Sequence, residues 1–158
     1  MEIRRATDDD FPHMWPIFAE VAAAGDTYPH AIDVSYDDAF QYWMRPPRVS
    51  YVAVDPQGEI VGLYYLRPNQ EALGAHVANA GYCVAKGLRG RGIGRALCEH
   101  SIAEARRLGY LAMQFNLVVS TNARAIALWE KCGFEIVGTL PKAFRHRDQG
   151  LVDAYVMY

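Results

Sequence analysis

A strand pattern that runs into four closely spaced glycines is the feature that most restricts this chain. The segment reads Val84-Ala85-Lys86-Gly87-Leu88-Arg89-Gly90-Arg91-Gly92-Ile93-Gly94-Arg95, with four glycines in eight residues. Glycine takes positive φ without steric cost, so this backbone can turn tightly and come close to a ligand. Beyond it, Gly94, Leu97, Cys98, Ser101, Ile102, Ala105 and Leu108 share one helical face. A helix that begins on such a turn presents unpaired N–H groups and the positive end of its dipole, which suits phosphate. Lys86, Arg89, Arg91 and Arg95 add four cations to the same turn. Two common phosphate loops are excluded. There is no Gly-x-x-x-x-Gly-Lys-Ser/Thr run. The dinucleotide pattern Gly-x-Gly-x-x-Gly fails because Arg95 stands where its third glycine belongs. The expectation is an anionic ligand held by a turn of a different kind.

The rest of the chain is not basic. The formal net charge is −2, which argues against nucleic acid as the main partner, since that affinity comes largely from Lys and Arg on phosphates. The length of 158 residues and a hydrophobic fraction of 51% predict one domain spanning residues 1–158 with a sizeable core. The three cysteines, Cys83, Cys98 and Cys132, are odd in number and form no Cys-x-x-Cys pair. Neither a disulfide framework nor a metal site is expected. Reduced thiols and the lack of an apolar leader predict a cytoplasmic protein. No apolar run reaches the roughly 18 residues of a membrane span, so no membrane partner is expected.

Pattern and punctuation place the elements. Glu2 to Ala6 reads as a strand. Thr7 and Asp10 have the spacing of a capping box before a helix that runs to about Ala24 and ends at Gly25. Pro16 lies well inside that helix and is expected to kink or split it. Ser35 and Asp38 open a second helix through Met44, stopped by Pro46-Pro47. Tyr51–Val54 and Ile60–Leu66 form a hairpin across Asp55-Pro56-Gln57-Gly58. Further strands are expected at Val77–Val84, Leu111–Val118, Phe134–Leu140 and Val152–Met157, with a helix over Asn122–Cys132. The fold class is therefore α/β (α+β): a mixed, mostly antiparallel sheet of about seven strands with helices on both faces.

Arg89-Gly90-Arg91-Gly92-Ile93-Gly94 resembles the acetyl-coenzyme A signature Arg/Gln-x-x-Gly-x-Gly/Ala of the GNAT acetyltransferases, at every fixed position. Downstream, Asn122 through Trp129 to Gly133-Phe134 is similar to that family's Asn-helix-Gly-Phe segment. The resemblance implies that the backbone of Arg89, Gly90, Arg91, Gly92, Ile93, Gly94 and Arg95 cradles the pyrophosphate of acetyl-coenzyme A. It implies that Cys83 and Val84 hydrogen-bond the pantetheine arm on one side and Asn122 on the other. It also implies that the strand of Val84 splays from the strand of Val118 to leave a V-shaped cleft. Position 129 departs from the family, which often has Tyr there as an acid; Trp129 can position the sulfur but cannot donate a proton near neutral pH.

A narrower resemblance joins Asn79-Ala80-Gly81, Phe115-Asn116-Leu117-Val118, Thr121-Asn122 and Trp129 to the yeast-type N-acetyltransferases that modify proline analogues such as azetidine-2-carboxylate. It places Asn79 at the reacting centre and the backbone of Asn116 and Leu117 on the substrate carboxylate. Tyr28 is a further candidate substrate contact in the loop Asp26–His30, and Tyr28, His30 and His76 are candidate bases. The expected activity is N-acetyl transfer to a small amine, imino acid or amino acid by direct attack in a ternary complex. The alternatives are a non-catalytic acetyl-coenzyme A module and an enzyme acting on protein or peptide amines. The resemblance also admits a homodimer.

Overall fold

The computed structural model describes residues 1–158. Strand β1 (Glu2–Arg5) is followed by a one-turn 3-10 segment at Asp8–Asp10 and helices α1 (Phe11–Ala24) and α2 (Tyr36–Met44). Three strands come next, β2 (Val49–Val54), β3 (Ile60–Pro68) and β4 (Val77–Val84), then helix α3 (Ile93–Arg107). Strands β5 (Ala112–Met113) and β6 (Phe115–Val119), helix α4 (Ala123–Lys131), and strands β7 (Ile136–His146) and β8 (Gly150–Met157) complete the order. The α/β class with helices on both faces is as expected. The strands, however, number eight and form two sheets, ordered β1-β2-β3-β4-β5 and β6-β8-β7.

The extra strand comes from a break in the predicted strand Leu111–Val118. β5 pairs in parallel with β4 only at Val77–Ala112 and Ala78–Met113. Gln114 N–H still donates to the Ala78 carbonyl at 2.8 Å. The Gln114 carbonyl instead accepts from the side-chain amide of Asn79 at 2.9 Å. A side chain has taken the place of the next ladder bond, so the backbone peels away and β6 joins β8 instead.

The two faces of the larger sheet follow the two-residue strand period. On one face Val52, Leu63, Tyr65 and Cys83 pack with Phe11, Met14, Phe18, Val21, Ala39 and Trp43 of α1 and α2. On the other, Tyr51, Tyr64, Leu66 and Ala80 pack with Ile93, Leu97, Cys98 and Ala105 of α3. Gly62 sets the approach of α3, because a Cβ there would lie 3.0 Å from Leu97 and 3.1 Å from Ile93.

Local details depart from the sequence expectation in several places. Helix α1 carries Pro16 inside it without a break in its assigned span. The expected capping box is present, with Asp10 accepting from Thr7 N–H at 2.8 Å; Asp10 also accepts from the Thr7 hydroxyl at 3.1 Å and takes a bidentate pair from Arg4 at 2.7 and 2.8 Å. It is buried rather than solvated. Ser35 caps α2 as anticipated, accepting from Asp38 N–H at 3.1 Å. β7 runs past Leu140 through Pro141, which a strand at the edge of its sheet tolerates.

Candidate active site

β4 is the spine of the site. Its C-terminal end leads through Lys86–Leu88 into the glycine turn, and its N-terminal half carries Asn79. Gly90 and Gly92 hold φ of +85° and +84°, values that side chains with a Cβ rarely adopt. Gly92 is the N-cap of α3 and supplies no side-chain cap. The first helical bond runs from Ala96 N–H to the Gly92 carbonyl at 3.0 Å. The N–H groups of Ile93, Gly94 and Arg95 therefore have no helical acceptor. Two of the four nearby cations are paired, Lys86 with Glu20 at 3.5 Å and Arg95 with Glu99 at 2.7 Å. Arg89 and Arg91 are exposed and join none of the ion pairs. An unsatisfied helix start with two free guanidinium groups has the donor set that a pyrophosphate takes.

Downstream of Ala78, β4 and β6 diverge from the Gln114 branch point, and aromatic groups fill the angle on the α3 side. Trp129 of α4 lies 4.7 Å from the Tyr82 ring and 5.1 Å from Phe115, which in turn stacks on Phe134 at 4.2 Å. Trp129 is thus a wedge between the two sheets. Gly94 lets α4 close on α3: a Cβ there would lie 3.2 Å from Leu128. Asn122 caps α4, its side-chain oxygen accepting from Ala125 N–H at 3.2 Å. β6 gains one residue against β8 between Phe115 and Val118, which makes a bulge at Asn116–Leu117. The Asn116 side chain bonds Asn69 at 2.7 Å and Gln114 at 3.0 Å.

The α1–α2 face of β4 holds a polar chain inside an aromatic wall. Tyr42 donates to the Tyr65 hydroxyl at 3.1 Å, and Tyr65 donates to the Asn79 side-chain oxygen at 3.3 Å. Arg67 Nε reaches that same oxygen at 3.2 Å. Asn79 thus accepts twice and donates to Gln114, so its amide is committed to neighbouring groups on both ends. Tyr28 lies over Gly81, where a Cβ would sit 2.6 Å from its hydroxyl oxygen. Its hydroxyl donates to the Tyr82 carbonyl at 3.4 Å.

The candidate bases are not equal. His76 is exposed and lies in the turn just before β4. Burial pushes the Tyr28 phenol well above its usual range, so it stays protonated near neutral pH. Burial, followed by the positive charge of Arg48, holds the His30 imidazole below its usual pKa, and its Nδ1 is buried without a partner. Burial likewise pushes the Cys83 thiol up to about 12, which leaves almost no thiolate for nucleophilic attack near pH 7.

Sequence reasoning did not reach Arg48, Tyr65, Arg67 or Gln114, and placed Tyr42 only in an aromatic set on the second helix that could be core or a pocket lid. Each comes to Asn79 or its neighbours from another element. The one local signal was strand parity, which puts Tyr65 and Arg67 on one face of β3.

Comparison with known proteins bears on the same region. Residues 7–134 match the model of the acetyltransferase (GNAT) family. A GCN5-related N-acetyltransferase of Kribbella flavida is 43% identical, superposes with a TM-score of 0.93, and is matched over 99% of this chain and 95% of its own. The N-acetyltransferase aca1 of Schizosaccharomyces pombe is 30% identical over 84% of this chain and 71% of its own length. The L-amino acid N-acetyltransferase AaaT of Escherichia coli is 29% identical over 98% of this chain and 94% of its own.

Proposed function

This chain belongs to the GNAT acetyltransferase family, and from that premise we propose that the 158 residues form one N-acetyltransferase domain that takes acetyl from acetyl-coenzyme A and passes it to a small amine, imino acid or amino acid. The observation that carries the reading is the start of α3: three N–H groups without helical acceptors beside two unpaired arginines, Arg89 and Arg91. Bound there, acetyl-coenzyme A would supply an activated thioester. The pantetheine arm would run along β4 past Val84 and Cys83, with Asn122 on the far side. Similarity to a relative named for L-amino acid acetylation supports the acceptor class. The resemblance of Asn79-Ala80-Gly81 and Asn116-Leu117 to proline-analogue acetyltransferases narrows it toward imino acids.

The chemistry in this reading is direct attack by a neutral amine. Holding both reactants in one cleft supplies much of the rate. A backbone N–H near Cys83 or Val84 stabilises the developing oxyanion. The thiol leaving group has a pKa of about 8.5, so its release as thiolate near pH 7 costs only about 2 kcal/mol and requires no acid at position 129. His30, held neutral with a free ring nitrogen, is the side chain best suited to take the amine proton, directly or through water. An acyl-enzyme on Cys83 is disfavoured by its raised pKa.

The test is calorimetry with acetyl-coenzyme A, followed by thiol release against amino acids, cyclic imino acids and other amines. The expected result is binding, with thiol release above background for at least one acceptor. Binding without acceptor-dependent release from any amine would favour a non-catalytic module, and no binding would overturn the reading altogether.

A further inference from the structure

Two arginines stand near Asn79, at the N-terminal end of β4, without counter-charges. Arg67 of β3 is in register with Asn79 of β4, and Val49 of β2 pairs with Leu66 of β3. That register sets Arg48, just before β2, beside Arg67. The Arg48 guanidinium carbon lies 3.8 Å from the centroid of the Tyr42 ring and 5.1 Å from that of Tyr65. Neither arginine takes part in any of the five ion pairs. Arg48 Nε is also buried with no hydrogen-bond partner.

A guanidinium that lies on an aromatic ring uses its π face and leaves its in-plane N–H donors free. Buried donors in folded proteins are nearly always paired, so the orphaned Arg48 donor points to an acceptor supplied by another molecule. Arg67 is steadied by Asn79, which is itself tied to the branch point at Gln114. Two positive charges without counter-charges disfavour polyamines and other dications. A planar anion that accepts two parallel N–H bonds suits the guanidinium fork.

We infer that the acceptor carries a carboxylate, and that Arg48 and Arg67 read it at the N-terminal end of β4 while the amine points along the strand toward Cys83 and Val84. The inference rests on the acetyltransferase reading above and sharpens it: the acceptor is an amino or imino acid, and simple amines, polyamines and amides are poor substrates. These two side chains would act alongside any contact from the Asn116–Leu117 backbone.

The test compares each accepted amino or imino acid with its own carboxamide, which keeps the amine and removes the negative charge. Wild-type protein is expected to favour the acid by about a hundredfold or more in kcat/KM, the scale on which a buried charge pair discriminates. In Arg48→Gln and Arg67→Gln that preference should fall at least tenfold, chiefly through KM, while Arg48→Lys recovers part of it. Acetyl-coenzyme A affinity, measured by calorimetry on the same preparations, reports separately on the cofactor reading. Equal rates for acid and carboxamide in the wild type, or a polyamine as the best acceptor, would overturn the inference even if acetyl-coenzyme A binds normally. The wild-type comparison holds even if a variant fails to fold.

Discussion

Asn79 accepts from Tyr65 and Arg67 through its side-chain oxygen and donates to the Gln114 carbonyl through its side-chain nitrogen. Its side chain ties Tyr65 and Arg67 of β3 to the strand break after β5. Asn79→Ala should therefore lower turnover at least tenfold while acetyl-coenzyme A affinity changes less than threefold, on the logic that a lost positioning contact acts on the reacting geometry. Steady-state kinetics beside calorimetry would check this, and unchanged turnover would remove Asn79 from the site. Asp10 carries the other residue-level prediction. Hydrogen bonds from Arg4 pull its carboxyl down to about 2, helped by Thr7. A carboxyl depressed on folding adds stability above its unfolded pKa, near 4, and that stability is lost as the pH falls toward the folded value. Asp10→Asn should cost about 2 kcal/mol at pH 7 and little at pH 2, as read by denaturant unfolding at the two pH values.

At the scale of elements, the start of α3 depends on backbone more than on side chains. Gly92 has φ of +84°, and a Cβ added there would meet no atom within 4 Å, so a side chain at this position brings backbone strain rather than a clash. Gly92→Ala should cost about 1–2 kcal/mol of stability and turn the free N–H groups off their target, weakening acetyl-coenzyme A binding at least tenfold. Arg89→Ala and Arg91→Ala should each weaken that binding severalfold and more so at low salt, whereas Lys86→Ala, which removes a cation already paired with Glu20, should do less. Titrations at two ionic strengths would separate the effects. The glycine spacing was plain in the sequence because it is local: it specifies φ at particular residues. The strand break at Gln114 was not, because it arises where Asn79, some 35 residues earlier in the chain, captures a carbonyl.

On the scale of the whole molecule, two sheets share one seam. They meet near Ala78 and Gln114 and are held apart by Trp129 against Tyr82, Phe115 and Phe134. Removing the indole should let the seam close. Trp129→Ala is expected to destabilise the protein by about 3 kcal/mol and to lower turnover, while Trp129→Phe keeps most of both. Thermal unfolding with and without acetyl-coenzyme A would show it: the variant should have a lower midpoint and a smaller shift on binding. A Trp129→Ala protein with an unchanged midpoint would rule out the wedge.

By itself the sequence determined whatever depends on short-range periodicity and backbone permission: the helices, the hairpin, the glycine turn and its charge, the α/β class, and the motifs shared with the acetyltransferase family. Tertiary structure alone decided which of the four cations stay free, where the predicted strand divides, and which side chains surround Asn79. Tyr42 and Arg48, Tyr65, and Gln114 come from three separate stretches of chain. A local pattern cannot encode their convergence, because strand register and helix packing, rather than sequence spacing, set which distant residues meet.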